Sequence, residues 1–201
     1  LRVDRLELAP GERVGCVGPS GSGKSTLLDL MAGNLSPTRG RVTFGGQDWA
    51  RGTPADIQRR RLAGVGLVFQ GFELLGALSL LDNVLLPLRF LGLSLDRARA
   101  LELLERLNLA DRALEKPGRV SFGERQRAAI CRALIAKPAL ILADEPTANL
   151  DPENAERVLD LLFDYGREEN ATLFLISHDR EHPGRMDRVI AMHELAQGVH
   201  A

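Results

Sequence analysis

Nine consecutive residues, Gly18-Pro19-Ser20-Gly21-Ser22-Gly23-Lys24-Ser25-Thr26, carry the spacing GxxxxGK[ST] between an apolar β-rich run and a segment of helical periodicity. Glycines let such a loop curl until successive backbone N–H groups point inward at phosphate oxygens, and the following helix adds the positive end of its dipole. In that arrangement Lys24 bridges the β- and γ-phosphates of a nucleotide while the Ser25 hydroxyl joins Mg²⁺. A glycine-rich turn that merely caps a helix is the plainer reading, and the full motif in its strand-to-helix context argues against it. Lys24 is also a departure from habit. Of 26 basic residues only Lys24, Lys116 and Lys137 are lysines, so a compact ammonium stands where this chain otherwise writes arginine.

A second constellation closes the apolar run Leu140-Ile141-Leu142-Ala143 with two carboxylates, Asp144 and Glu145. Asp144 is placed to hold Mg²⁺ through its water shell, since that ion keeps waters and takes few protein ligands. Glu145 projects one residue further, where a base or polariser for an attacking water belongs. An acidic cap at a helix N-terminus, which Pro146 and Thr147 allow, explains one acid better than two. A third stretch, VSFGERQR from Val120 to Arg127, pairs Ser121 with Glu124 three residues on, the pattern of a capping box at a helix start. Gln70 and the pair Ser177-His178 complete the set, each following a strand-like run.

The elements that must carry these residues alternate short apolar runs with longer segments of 3.6 periodicity, the pattern of a parallel sheet wrapped by helices. Strands are expected at 13–17, 65–69, 140–143, 172–176 and 189–192. An antiparallel flap is expected from 6–8 and 41–44, bounded by Pro10-Gly11 and Gly45-Gly46. Between Gln70 and Gly118 the strand signal gives way to helices at 80–91 and 96–107, with Pro87 set to kink or interrupt the first. The expected division is one domain, a core of residues 1–70 and 119–201 with a helical subdomain at 71–118. Gly18, Gln70, Asp144-Glu145 and Ser177-His178 each follow a strand, and open α/β sheets bind ligands at the strands' carboxyl ends, so the four groups converge on one crevice.

Composition removes other classes. The 201 residues are 44% hydrophobic and 26% charged with a formal net charge of -1, which gives no global basic field for nucleic acid. The longest apolar runs, 84–88 and 139–143, fall far short of the roughly 20 residues that cross a bilayer. Two cysteines, Cys16 and Cys131, make no disulfide framework and read as buried thiols in a reducing compartment. His178 and His182 have metal-like spacing, but Pro183 breaks the helix and no third ligand is evident, so a zinc site is rejected.

The loop at 18–26, VSFGERQR, LILADEP followed by Ala148-Asn149-Leu150-Asp151, and Ser177-His178-Asp179 together resemble the ordered motif set of an ATP-binding cassette (ABC) ATPase, over about residues 6–192. The segment VGLVFQGFELLGALSLLDNVLLPL is similar to the lipoprotein-releasing and macrolide-exporting group, which includes a cell-division relative. The resemblance implies a P-loop NTPase fold that binds ATP and Mg²⁺, with Gln70 reaching the metal and the attacking water, and His178 contacting the γ-phosphate. It also implies a homodimer holding two ATP molecules, each between one subunit's loop at 18–26 and the other's Ser121 and Gly123, with Asp151 closing across the interface. The implied partner is a membrane-spanning permease, with the ATPase peripheral on the inner face of the cytoplasmic membrane. The apolar stretch 72–91 is the expected groove for it, unless that stripe is core. No nucleic-acid partner is implied. Other readings are a division-type signalling complex or a soluble DNA-repair or translation ATPase of the same family; neutral charge and the absence of zinc-ligand cysteines and of a coiled-coil insertion argue against the last.

Two departures stand out. Phe122 occupies a position the family keeps small, at a cost on the order of 1 kcal/mol if its backbone needs φ > 0. No Tyr, Trp or Phe precedes Phe44, although the family stacks adenine on an upstream aromatic; the chain opens on Leu1, so either a native N-terminus is missing or adenine is held poorly.

Overall fold

Nearly continuous apolar runs form the middle of the molecule, as strands covered on both faces require. The computed structural model describes residues 1–69, 74–148, 150–177 and 184–195. Along the chain run β1 (Arg13–Val17), α1 (Lys24–Met31), β2 (Thr43–Phe44), β3 (Gln47–Asp48), α2 (Pro54–Gly64), β4 (Val65–Val68), α3 (Leu80–Leu91), α4 (Arg97–Arg106), α5 (Phe122–Leu134), β5 (Leu140–Asp144), α6 (Pro152–Glu168), β6 (Thr172–Ile176) and β7 (Arg188–Ala191). The main sheet has the order β4-β5-β6-β1-β7, and every ladder in it is parallel.

Period-two alternation sends side chains of one strand to two cores. Leu140 and Leu142 join Val14, Cys16, Phe174 and Ile176 beneath α1, whereas Ile141 and Ala143 join Leu173 and Leu175 beneath α3, α4, α5 and α6. The helix leaving β1 therefore covers one face, and those leaving β4 and β5 cover the other, which is how a doubly wound sheet opens a crevice at its strand ends. Both cysteines are buried and free, and burial pushes their thiols up, Cys16 to about 11 and Cys131 to about 12.

The flap is smaller than the sequence pattern suggested. The antiparallel ladder pairs Thr43 with Asp48 and Phe44 with Gln47 around Gly45 and Gly46, both at positive φ, which is the local geometry that closes a two-residue hairpin. Residues 6–8 take no part in it; Leu6 and Leu8 pack against the core under α1 instead. The flap is fastened by Trp49, which stacks on Phe44 with centroids 5.5 Å apart and donates its indole N–H to Met31 O at 2.9 Å.

α2 has no counterpart among the expected elements, although Thr53 caps it, Pro54 starts it and Asp56 completes a capping box. Its residues show no apolar stripe, and none is buried, so hydrophobic periodicity misses it. α3 runs unbroken through Pro87. Leu80, Leu81, Val84, Leu85, Leu88 and Leu91 are buried on one stripe, and that packing outweighs the one backbone bond proline removes. That stripe is core; among the described residues of 74–91, Leu75 and Phe90 are the large apolar side chains left exposed, and Phe72 and Glu73 lie outside the described residues.

Candidate functional site

Register brings the carboxyl ends of β1, β5 and β6 level, with Cys16 beside Ile176 and Asp144 also beside Ile176. From the end of β1 the chain curls through Gly18 to Gly23, with Gly21 and Gly23 at φ 76° and 96°. Gly23 is the N-cap of α1 and supplies no side-chain acceptor, and no acidic residue stands in the first turn. The α1 N-terminus therefore keeps its orphan N–H groups and its positive field for an external anion. Lys24 is almost buried and donates Nζ to Gly18 O at 2.8 Å and Pro19 O at 3.0 Å, arching over the loop. No carboxylate among the described residues pairs with it. A side chain at Gly18 would come within 2.9 Å of Ser22 Oγ and 3.0 Å of Met192, so the loop's closure depends on glycine there.

Ser25 Oγ, in the first turn of α1, donates to Asp144 Oδ2 at 2.7 Å, at the end of β5. A hydroxyl and a carboxylate thus converge beside the loop at 18–26, and hard oxygen donors of this kind are what Mg²⁺ takes while keeping several of its waters. Glu145 follows with φ 49°, a left-handed conformation unusual outside glycine, Asn and Asp. Strain of that kind costs on the order of 1–3 kcal/mol and persists where surrounding structure enforces it. Here the Glu145 N–H donates to Ile176 O at 3.0 Å and its carbonyl accepts from Ala148 N at 3.1 Å.

Ser121 is the N-cap of α5, and the capping box is complete: Glu124 N–H donates to Ser121 Oγ at 3.2 Å and Ser121 N–H to Glu124 Oε2 at 2.7 Å. That backbone donor, aided by the nearby Arg112 and Arg127, holds the Glu124 carboxyl below its usual range. Phe122 is the first residue of α5 and does not take a positive φ, so the backbone cost attached to it does not arise. Gly123 is needed at close quarters, because a Cβ there would lie 3.0 Å from Leu150 Cδ2. Asp151 caps α6, accepting from Asn154 N at 3.0 Å and Asn154 Nδ2 at 2.7 Å, and those donors depress its carboxyl.

The structure thus brings Gly18 to Ser25 together with Asp144 and Glu145 at one sheet edge. Ser121, Gly123 and Asp151 lie at the starts of α5 and α6. Gln70 and His178 lie outside the described residues. Sequence reasoning missed the backbone of Glu145 and the side chain of Gln126, which is buried and donates Nε2 to Pro146 O at 2.7 Å. Gln126 lies within VSFGERQR, yet no spacing rule tells which carbonyl a buried amide twenty residues away will meet.

The model of the ABC transporter family matches residues 1–148. The lipoprotein-releasing system ATP-binding protein LolD of Legionella pneumophila (strain Paris) is 41% identical over 191 residues, 94% of this chain and 84% of that protein. An uncharacterized ABC transporter ATP-binding protein of Mycobacterium tuberculosis (strain CDC 1551 / Oshkosh) is 43% identical over 187 residues, 92% of this chain and 75% of that protein. Among solved structures, the ATP-binding cassette MJ0796, in a dimeric post-hydrolysis state bound to ADP and Pi, superposes with TM-score 0.87 at 37% identity, covering 92% of this chain and 83% of that one. With similarity of that degree over nearly its whole length, this chain belongs to the ABC transporter family, as an ATP-binding subunit.

Proposed function

We propose that the chain hydrolyses ATP within a head-to-tail homodimer and so drives a membrane-spanning permease of the lipoprotein-releasing type, from the inner face of the cytoplasmic membrane. The observation that carries the chemistry is the 2.7 Å contact of Ser25 Oγ with Asp144 Oδ2 beside the Lys24 loop. The backbone N–H groups of Gly21 to Ser25 hold the triphosphate, and Lys24 moves from its loop carbonyls to the β- and γ-phosphate oxygens. Ser25, Asp144 and Gln70 would hold Mg²⁺, which when bound neutralises charge on those oxygens. Glu145 accepts a proton from the water that attacks the γ-phosphorus as the bond to the β-phosphate oxygen breaks, giving ADP and inorganic phosphate. His178 steadies the γ-phosphate, while Ser121 and the Gly123 N–H of the opposite subunit approach it from the far side, using the positive end of α5. Asp151 closes the interface. Loss of the γ-phosphate removes the charge that joined the two halves.

In this reading residues 71–118 form the helical subdomain that meets the permease, within a core of 1–70 and 119–201. The similarity to LolD supports the permease class. Among the described residues no helix is long and apolar enough to cross a membrane.

Glu145→Gln tests the proposal. It should bind ATP, lose turnover by a factor on the order of 10²–10⁴, and elute as a dimer from size exclusion in ATP and Mg²⁺. A monomer at saturating ATP and Mg²⁺ would overturn the shared-site mechanism.

A further inference from the structure

Glu145 holds a backbone conformation that needs support, and its supports come from three directions. Its N–H is tied to Ile176 O at the end of β6, and its carbonyl accepts from Ala148 N within the same turn. The third tie arrives from another element: Gln126 Nε2, on α5, donates to the carbonyl of Pro146, the next residue, at 2.7 Å. Gln126 is only 3% exposed, so this amide is committed to the interior. Gln126 stands one helical turn after Gly123, on the helix whose N-terminus carries Ser121. That same N-terminus touches the far end of the turn, where a Cβ on Gly123 would lie 3.0 Å from Leu150 Cδ2, next to Asp151. Arg127 and Asp151 also favour each other's charged form across this junction. The start of α5 and the segment from Glu145 to Asp151 are therefore gripped together at both ends.

We propose that Gln126 is a positioning residue through which the α5 N-terminus sets the backbone of Glu145, so that ATP held by Ser121 and Gly123 in the opposite subunit's site tunes the base in this subunit's own site. The inference rests on the shared-site dimer proposed above. Each α5 then serves two nucleotides. Its tip touches one phosphate, and five residues on, Gln126 adjusts the carboxylate that works on the other. Hydrolysis at the two sites becomes cooperative without any direct contact between them.

Gln126→Met is the informative substitution. It keeps the length and burial of the side chain but removes the donor; it also removes Gln126 Oε1, which finds no hydrogen-bond partner among the described residues. Loss of the donor leaves the buried carbonyl of Pro146 without that partner, a cost that removal of the unpaired Oε1 offsets only in part, so the melting temperature should fall by a few degrees while the variant stays folded. The expected result is a kcat lower by a factor on the order of ten, a Hill coefficient for ATP moving toward 1, and ATP affinity within about twofold of the parent. Gln126→Asn keeps the amide but draws it back by one methylene, so it must show the same pair of changes; it also carries the test if the Met variant does not fold. Parental kcat and Hill coefficient in either folded variant would overturn the proposal, as would an ATP affinity falling in step with kcat. The underlying dimer is checked separately: Glu145→Gln, with and without Gln126→Met, should form the ATP-dependent dimer. Its absence in Glu145→Gln alone would sink the shared-site reading, whereas its presence beside unchanged Gln126→Met kinetics would sink only this inference.

Discussion

Lys24 shows how much one residue's type can carry. An ammonium has three donors, and the fold uses two of them to bind Gly18 O and Pro19 O, which stores the cation against the loop in an almost buried position. Arginine's planar fork would not fold back over so tight a turn, in keeping with its exclusion from this place in an arginine-rich chain. Lys24→Ala should abolish measurable ATP binding in calorimetry, while the melting temperature changes by only a few degrees; unchanged affinity would remove the central assignment. The sequence revealed Lys24, Ser25, Asp144 and Glu145 because a fixed spacing around a tight loop is local information. It did not reveal that Glu145 takes φ 49° or that Gln126 meets Pro146 O, because both depend on how separate elements dock.

Among the elements, α5 sharpens the reading of its own sequence. The capping box Ser121–Glu124 was legible from two residues, and the helix it opens starts with Phe122 in helical conformation. A bulky residue there carries no backbone penalty, so Phe122→Gly should not rescue anything. It should lower stability by up to about 1 kcal/mol through lost helix propensity and leave ATP-dependent dimerisation in the Glu145→Gln background no stronger; dimerisation measured against ATP concentration would reveal any gain. The strands and α3 were legible because burial writes periodicity into sequence, and α3 ends where Gly92 takes the left-handed C-cap. α2 escaped because its markers are confined to its first turn, at Thr53, Pro54 and Asp56, and the flap was misjudged because Gly45-Gly46 closes a hairpin locally while Leu6 and Leu8 serve the core.

At the scale of the whole molecule, carboxylates secure one long-range contact and three helix starts. Asp187, just before β7, pairs with Arg13 of β1 at 2.6 Å, Asp151 caps α6, and Asp56 and Glu124 complete the capping boxes of α2 and α5. Hydrogen bonds to these groups hold all four below their usual ranges. A carboxyl whose folded pKa is depressed contributes stability above its unfolded pKa and loses it as pH falls through the folded value. The melting temperature should therefore be flat near neutrality and fall progressively below about pH 4.5. In Asp187→Asn the fall should be shallower, measured by calorimetry across that range.

Trp49, the chain's single tryptophan, hangs by its indole N–H from the carbonyl of Met31, the last residue of the helix whose first residue is Lys24. Eight residues of α1 thus connect the phosphate loop to one fluorophore stacked on Phe44. The protein carries a built-in optical reporter at the far end of its nucleotide-binding helix, so its emission spectrum can follow occupancy of the loop with no label attached.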